Sequence, residues 1–328
     1  MSSKLIKHSP DKAFTINLLD AKDLAILRIL DQDVRASFTE IGRKTRLSKE
    51  VVQYRIKKLE EEKIITGYWT FIKYLQGTVY KVLIKNRNLA GQKEKEFIEF
   101  VRNHKIVSWF AKTQGNFDYL ITIFTTEDGQ SVEFMRELLE NFGSYFKERH
   151  ILKAYETNIT NDKYQYPKGE FKYEYFNRFS KQDSPKDKTE EEMMRLLSLN
   201  SRIKFTEMAQ ELKLTPEAVK YRFKQVKNLI AGFKMRLNWE NLGLSYYHIF
   251  VTLQDQSKKS ELLSFYKLHP YFNASMQHLG YYDLHMELIL PEHKISEFIE
   301  ELVSKFGNII EEYELLRVRQ EFVLNILK

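Results

Sequence analysis

The chain has 328 residues, 43% hydrophobic, 30% charged and 14% aromatic, enough to bury more than one core and unlike a disordered or fibrous polymer. Lys and Arg outnumber Asp and Glu by 52 to 45, so the formal charge of +7 favours an anionic partner without demanding one. The absence of cysteine removes disulfides, thiolate metal sites and thiol catalysis.

In chain order, residues 1–16 read as a flexible tail with no signal-peptide core, and no later window approaches the roughly 20 apolar residues that cross a bilayer. A soluble cytoplasmic protein with no membrane contact is the expectation. Three helical segments follow. "DAKDLAILRIL" places Leu24, Leu27 and Leu30, with Ile26 beside them, on one face. "SFTE" sets Ser37 and Glu40 at capping-box spacing for a short second helix. The third opens with Ser48 as N-cap and buries Val52, Ile56 and Leu59, leaving Lys49, Gln53 and Lys57 outward. Two helices joined by a tight turn, the second with a polar cationic face, are helix-turn-helix organisation, and "IITGYWTFIKY" reads as a wing strand. The winged helix-turn-helix thus occupies 17–70.

From 71 to 159 the apolar period changes to two. Strands "TVYKVLIKN", "SWFAKTQGNFDYLITIF" (a hairpin) and "RHILKAYETNI" alternate with helices "KEKEFIEFVRNH" and "SVEFMRELLENF", the βαββαβ order of a ferredoxin-like domain. Residues 160–187 are polar, with Pro167 and Pro185, and read as a linker. Its aromatics Tyr164, Tyr166, Phe171, Tyr173, Tyr175 and Phe176 are too many for a spacer, so part of it should pack across a unit.

The same features then recur. "KFTEMAQELKLTPEAVKYRFK" overlies "SFTEIGRKTRLSKEVVQYRIK" without a gap, taking Tyr54 to Tyr221 and Arg55 to Arg222, and "GYYDLH" from Gly280 overlies "GNFDYL" from Gly115. Met193, Met194 and Leu197 form the first helical face. Lys204 replaces the capping serine, which leaves the second helix less well fixed. Thr215 caps the third helix, Pro216 takes its first position, and Val219, Phe223 and Val226 make the buried stripe, with Lys220 and Lys224 outward. A second winged helix-turn-helix at 188–238 and a second ferredoxin-like domain at 239–328 complete the reading. The fold class is α+β, two tandem winged helix-turn-helix domains each followed by a ferredoxin-like βαββαβ domain.

The first unit, with its initial Leu-Asp, Asp33-x-Arg35, the run from Arg55 to Leu59-Glu60 and the Ile-x-Gly-Tyr wing entry, resembles the Lrp/AsnC transcription regulators. Its second half is similar to that family's ligand-sensing domain, with Gly115-x-x-Asp118-Tyr119 at the central hairpin. The second unit keeps Asn200-x-Arg202, Ala209, Arg222 and Gly280-x-x-Asp283 in more worn form. The family usually has glycine where Lys63 stands, a left-handed cap position. Its usual members carry one unit and dimerise, which implies that two fused units make an internal pseudo-dimer, whether or not this pairs again into a larger homo-oligomer.

The resemblance implies double-stranded DNA as partner and a small-molecule effector, such as an amino acid, as modulator, with no cofactor. The DNA-binding candidates are Arg43, Lys44, Arg46, Ser48, Lys49, Gln53, Tyr54, Arg55 and Lys57 in the first unit, and Thr215, Lys220, Tyr221, Arg222 and Lys224 in the second. Because the two sets differ, the expected target is an imperfect palindrome. A lysine-rich helix face is commonly only a solvated face, Tyr54 and Tyr221 fit packing against the second helix as well as base contact, and Arg55 and Arg222 fit phosphate clamping as well as ion pairs with Glu40 and Glu207. Gly115, Asp118, Gly280 and Asp283 are the effector candidates, against the alternative that Gly-x-x-Asp is turn chemistry. His278 and His285 flank the second hairpin, but spacing supplies no third ligand and no metal site is assigned. Phosphate loops, nucleophile elbows and His-Glu-x-x-His are missing, so no enzyme is read from motifs. Paired Lrp/AsnC-like units also occur in siroheme decarboxylases, which leaves an enzyme with degenerate readers as the alternative. A third possibility is an interaction protein whose second unit serves assembly.

Overall fold

The computed structural model describes residues 19–72, 77–159, 176–177 and 185–324. The proposed tail and most of the proposed linker lie outside them.

The first head consists of α1 (Ala21–Gln32), α2 (Phe38–Thr45) and α3 (Lys49–Glu61). Each start has its own cap. Asp20 accepts from Lys22 N and Asp23 N at 2.8 Å, Ser37 from Glu40 N at 3.1 Å and Ser48 from Val51 N at 3.3 Å. Arg46 takes a left-handed conformation, φ 57°, in the turn between α2 and α3, and Lys63 does the same after α3. The second head repeats this with α6 (Lys188–Leu199), α7 (Phe205–Leu212) and α8 (Pro216–Val226), the last capped by Thr215 and preceded by left-handed Lys213. Lys204 makes no side-chain cap bond to α7, as its chemistry dictates. The anticipated stripes are buried, with Leu24 and Phe223 half-buried.

The strands after these heads are not wings folded back on their own units. β1 (Ile65–Ile72) and β7 (Ile230–Leu237) pair antiparallel with each other, with Trp69 opposite Lys234 near the middle. Each strand alone would expose two edges of unpaired amides, and crossing to its counterpart satisfies one of them. The heads follow their partner's strand: α6 packs on β1 and α1 on β7, so Met235 and Leu237 enter the first head's core and Ile72 enters the second's. Thr70 Oγ1 donates to Leu197 O at 2.7 Å beneath that contact.

The two ferredoxin-like units are β2 (Thr78–Asn86), α4 (Gly91–Asn103), β3 (Val107–Gln114), β4 (Tyr119–Thr125), α5 (Asp128–Phe142) and β5 (Phe146–Ile159), then β8 (Ser245–Leu253), α9 (Lys259–Leu268), β9 (Phe272–Leu279), β10 (Leu284–Leu290), α10 (Ile295–Phe306) and β11 (Ile310–Leu324). Within them the strand orders are β5-β2-β4-β3 and β11-β8-β10-β9. The last strand of each is long enough to leave its own sheet. β5 pairs first with β2 and then with β9, and β11 first with β8 and then with β3. Eight antiparallel strands therefore close into a ring. β6 (Phe176–Asn177), from the linker region, adds two residues to the end of β5.

Alternation along the strands separates two faces. Outward residues such as Val82, Ile121, Ile249 and Met286 pack beneath the helices in two separate cores. The inward set, including Leu83, Leu120, Leu152, Phe250 and Leu316, forms a further core shared by both units. The ladders also fix how the units correspond. Leu83 stands opposite Leu120 as Phe250 stands opposite His285, which matches Lys81 with His248 and Thr122 with Glu287.

Candidate nucleic-acid interface

The two heads are joined by a reciprocal clasp. The guanidinium of Arg35 donates to Ser201 O and, at 3.1 Å, to Ile203 O, while that of Arg202 donates to Val34 O and Ala36 O. Arg35 also lies over the rings of Phe205 and Phe223 at 4.9 and 5.0 Å, and Arg202 over Phe38 and Tyr68 at 5.6 and 5.3 Å. The cations thus satisfy chain carbonyls that the heads turn toward each other, and their stacked aromatic neighbours restrict the guanidinium planes. Both arginines were visible in the sequence as motif residues. Their partners lie in the other unit and were not.

On α3 the polar side chains Lys49, Gln53, Tyr54 and Lys57 are exposed, opposite the stripe of Val52, Ile56 and Leu59. On α8 Lys220, Tyr221 and Lys224 are exposed in the same way. Tyr54 is 68% exposed and Tyr221 65%, so neither ring packs against the helix before it. Arg43 and Arg46, at the end of α2 and in the following turn, are also exposed, and with Lys49 they form no ion pair among the described residues. Lys44 is paired with Glu40 at 2.9 Å and Lys57 with Glu61 at 3.5 Å, both between exposed groups where such pairs hold weakly.

Arg55 and Arg222 have internal partners, but not the ones expected. Arg55 Nη1 lies 2.7 Å from both Asp20 Oδ2 and Asp23 Oδ1, and Arg222 Nη1 lies 2.7 Å from Asp187 Oδ2. These carboxylates belong to the cap and first turn of α1 and to the cap of α6, so each arginine ties its third helix to the head's first. Glu40 and Glu207 are occupied instead by Lys44 and Lys204. The hydrogen bonds that Arg55 donates to Asp23 and Asp20 raise its guanidinium above its ordinary pKa, and the bond donated to Asp187 does the same for Arg222.

At the hairpins Gly115 has φ 147° and Gly280 φ 142°. A Cβ on Gly115 would lie 2.5 Å from Leu315 O, and one on Gly280 would lie 2.8 Å from Leu152 Cδ2 and 3.1 Å from Ile151 O. Each glycine lets its hairpin pass close beneath the other unit's long strand. Asp118 Oδ2 accepts from Asn86 N and Asp283 Oδ2 from Leu253 N, both at 2.7 Å, so the carboxylates bind their hairpins to the ends of β2 and β8.

Inside the ring the fold brings together what spacing could not. His248, on β8, meets His285 at 2.7 Å between Nδ1 and Nε2, and Glu287 Oε1 lies 3.9 and 3.8 Å from those atoms. The rings are 12° from parallel with centroids 4.9 Å apart, so the nitrogens face each other head-on as a hydrogen-bonded pair. His278 is also buried, and neither of its nitrogens has a hydrogen-bond partner among the described residues. Burial pulls His248 and His278 down to about 3 and His285 well below its usual value, so all three are neutral at pH 7. Burial pushes the Glu287 carboxyl up, but Lys81, His248, the Tyr246 hydroxyl and Lys234 together outweigh it and leave the group below the ordinary carboxylate value.

The AsnC-type helix-turn-helix domain pattern matches residues 19–60, the span of α1 to α3. Over 92 residues the chain is 40% identical to the HTH-type transcriptional regulator LrpA of Pyrococcus horikoshii, covering 26% of this chain and 64% of that one. Over 101 residues it is 34% identical to the HTH-type transcriptional regulator Ptr1 of Methanocaldococcus jannaschii, covering 31% and 68%. Over 126 residues it is 31% identical to the proline dehydrogenase transcriptional activator of Rhodobacter capsulatus, covering 38% and 82%. Among solved structures the siroheme decarboxylase NirDL has the same fold along 94% of both chains, with a TM-score of 0.61 and 15% identity. The helix-turn-helix, the sheet domain behind it and these relatives converge on one assignment: the chain belongs to the Lrp/AsnC family of transcriptional regulators.

Proposed function

We propose that this protein is a DNA-binding transcription regulator in which one chain supplies both halves of the reading device. The observation that carries the proposal is the joined pair of heads: α3 and α8 each expose a polar cationic face above a buried stripe, while the β1–β7 ribbon and the Arg35–Arg202 clasp fix their relation. A fixed pair of helices suits two half-sites on one duplex. Because Lys49, Gln53 and Lys57 correspond to Pro216, Lys220 and Lys224, the half-sites differ and the operator is an imperfect palindrome. Arg43, Arg46 and Lys49 give the first head most of the phosphate contacts, with Ser48 and Thr215 presenting hydroxyls beside them. Arg55 and Arg222 act by bracing the reader helices. We assign Gly115, Asp118, Gly280 and Asp283 to holding the hairpins where the units meet, which leaves the metabolite modulator to bind elsewhere.

Selection of bound duplexes from a random pool at low salt, followed by competition at rising salt, tests this reading. Recovery of a two-part motif with unequal halves is expected, whereas binding no stronger than to non-specific DNA would refute it. The second reading, an enzyme of the siroheme decarboxylase type, draws on NirDL sharing the fold along 94% of both chains. Adding siroheme and following its absorption spectrum and carbon dioxide release separates the two.

A further inference from the structure

A cavity of about 140 Å³ lies between the β1–β7 ribbon and the ring. All three tryptophans of the chain line it: Trp69 from β1, Trp109 from β3 and Trp239 from the segment after β7. Lys81 Nζ lies 5.0 Å from the Trp109 ring centre and Arg236 Cζ 5.4 Å from that of Trp69, so a flat apolar ring would meet these indoles at their edges or uncovered faces. The volume is close to the roughly 150 Å³ that houses one benzene molecule in an apolar cavity.

The lining is also charged. Lys81, Lys234 and Arg236 face it, as do the carboxylates of Glu287 and Glu321, leaving one more positive than negative charge among the described lining residues. Lys81 Nζ lies 3.7 Å from Glu287 Oε1 and Arg236 Nη2 lies 2.9 Å from Glu321 Oε2. Lys234 Nζ donates to Asn273 Oδ1 at 2.6 Å, and its charge acts on the Glu287 carboxyl together with that of Lys81. Lys81 and Lys234 are 3% and 5% exposed, so water screens their charge poorly and an arriving anion would feel it strongly. Thr122 Oγ1 adds a polar group on the wall, buried and without a hydrogen-bond partner among the described residues.

We propose that this cavity binds a single-ring aromatic monocarboxylate, with the ring among the indoles and the carboxylate toward Lys81 and Lys234. Because the ribbon carries both heads, such a ligand would tie their position to the ring. The binding itself does not depend on the DNA-binding reading and is tested without DNA.

Since every tryptophan lines the cavity, the full-length protein reports occupancy by its own fluorescence. Titration with benzoate and phenylacetate at constant ionic strength should give a saturable change with a Kd below about 1 mM. Benzamide and phenylacetamide, lacking the charge, should bind at least about tenfold more weakly. Lys234→Met should lose about tenfold for the acids and little for the amides, and Thr122→Val should lose a few fold while the circular dichroism of both variants stays that of the parent. If Lys234→Met does not fold, Thr122→Val and the acid-to-amide ratio on the parent protein still decide. No saturable change with either acid, or amides binding as tightly as acids, would overturn the proposal.

Discussion

At matching positions on the ring's inner wall, Lys81, Leu83, Leu120 and Thr122 of the first unit correspond to His248, Phe250, His285 and Glu287 of the second. The heads diverge in the opposite sense: Arg43, Arg46 and Lys49 are exposed cations in the first, where the second has Gln210, Lys213 and Pro216. The first unit carries more cations on its head, and the second carries more titratable side chains on the inner wall. Backbone pairing and the helix-covered outer cores hold both units to the same path, so neither the inner wall nor the reader faces must stay alike for the ring to close.

The largest expected effect breaks this comparison by pH. Three histidines of the second unit stay neutral when folded, with folded-state values lowered to about 3 for His248 and His278 and burial holding His285 well below its ordinary value, yet they take up protons near pH 6.5 when unfolded. Between these limits the unfolded chain binds more protons, so stability rises with pH and is lost as pH falls. Each contributes about 1.4 kcal/mol per pH unit, about 4 for the three together. Urea unfolding at pH 7, 6 and 5 should show the loss steepening, with about half of this slope between pH 7 and 6 and nearly all of it between 6 and 5, and His278→Phe should remove about a third of it.

Next comes the feature the units share. Arg35→Ala and Arg202→Ala each remove charged donors from two carbonyls, and each should cost about 2–3 kcal/mol in thermal or denaturant unfolding. Markedly unequal losses would show that the clasp is one-sided.

The heads can be separated by salt. If all three contact phosphate, the combined change Arg43→Ala, Arg46→Ala and Lys49→Ala should flatten the dependence of log K on log salt by about 2.7, while Lys213→Ala, the single cation at the matching positions, should flatten it by about 0.9. Equal changes would mean that the second head carries its contacts elsewhere. The smallest effect concerns caps. Ser37→Ala should cost about 1 kcal/mol, because Ser37 accepts from Glu40 N, whereas Lys204→Ala should leave stability nearly unchanged.

The helices, their caps and buried stripes, and the βαββαβ order of each half were legible because each follows from local chemistry and period. The wing segments were legible as strands after each head, but not their partner, because the alternation of β1 and β7 looks the same whether a strand pairs with its own unit or with another. Arg55 and Arg222 were legible as ion-pair formers, but their partners lie 35 residues or so upstream at a helix cap, where helical spacing gives no guide. His248 carried no signal of its own. Only the ladder between β8 and β10 lays it beside His285 and Glu287.

Spacing and residue type by themselves settled which segments are helix or strand, which face of each is apolar, and that the order of elements occurs twice. These depend on interactions within a few residues. Closure of eight strands into a ring, exchange of strands between the heads, gathering of three tryptophans between ribbon and ring, and assembly of three histidines on the ring's inner wall depended on contacts between distant segments. Such contacts are chosen by what each edge and each apolar face finds to pair with once the chain is compact.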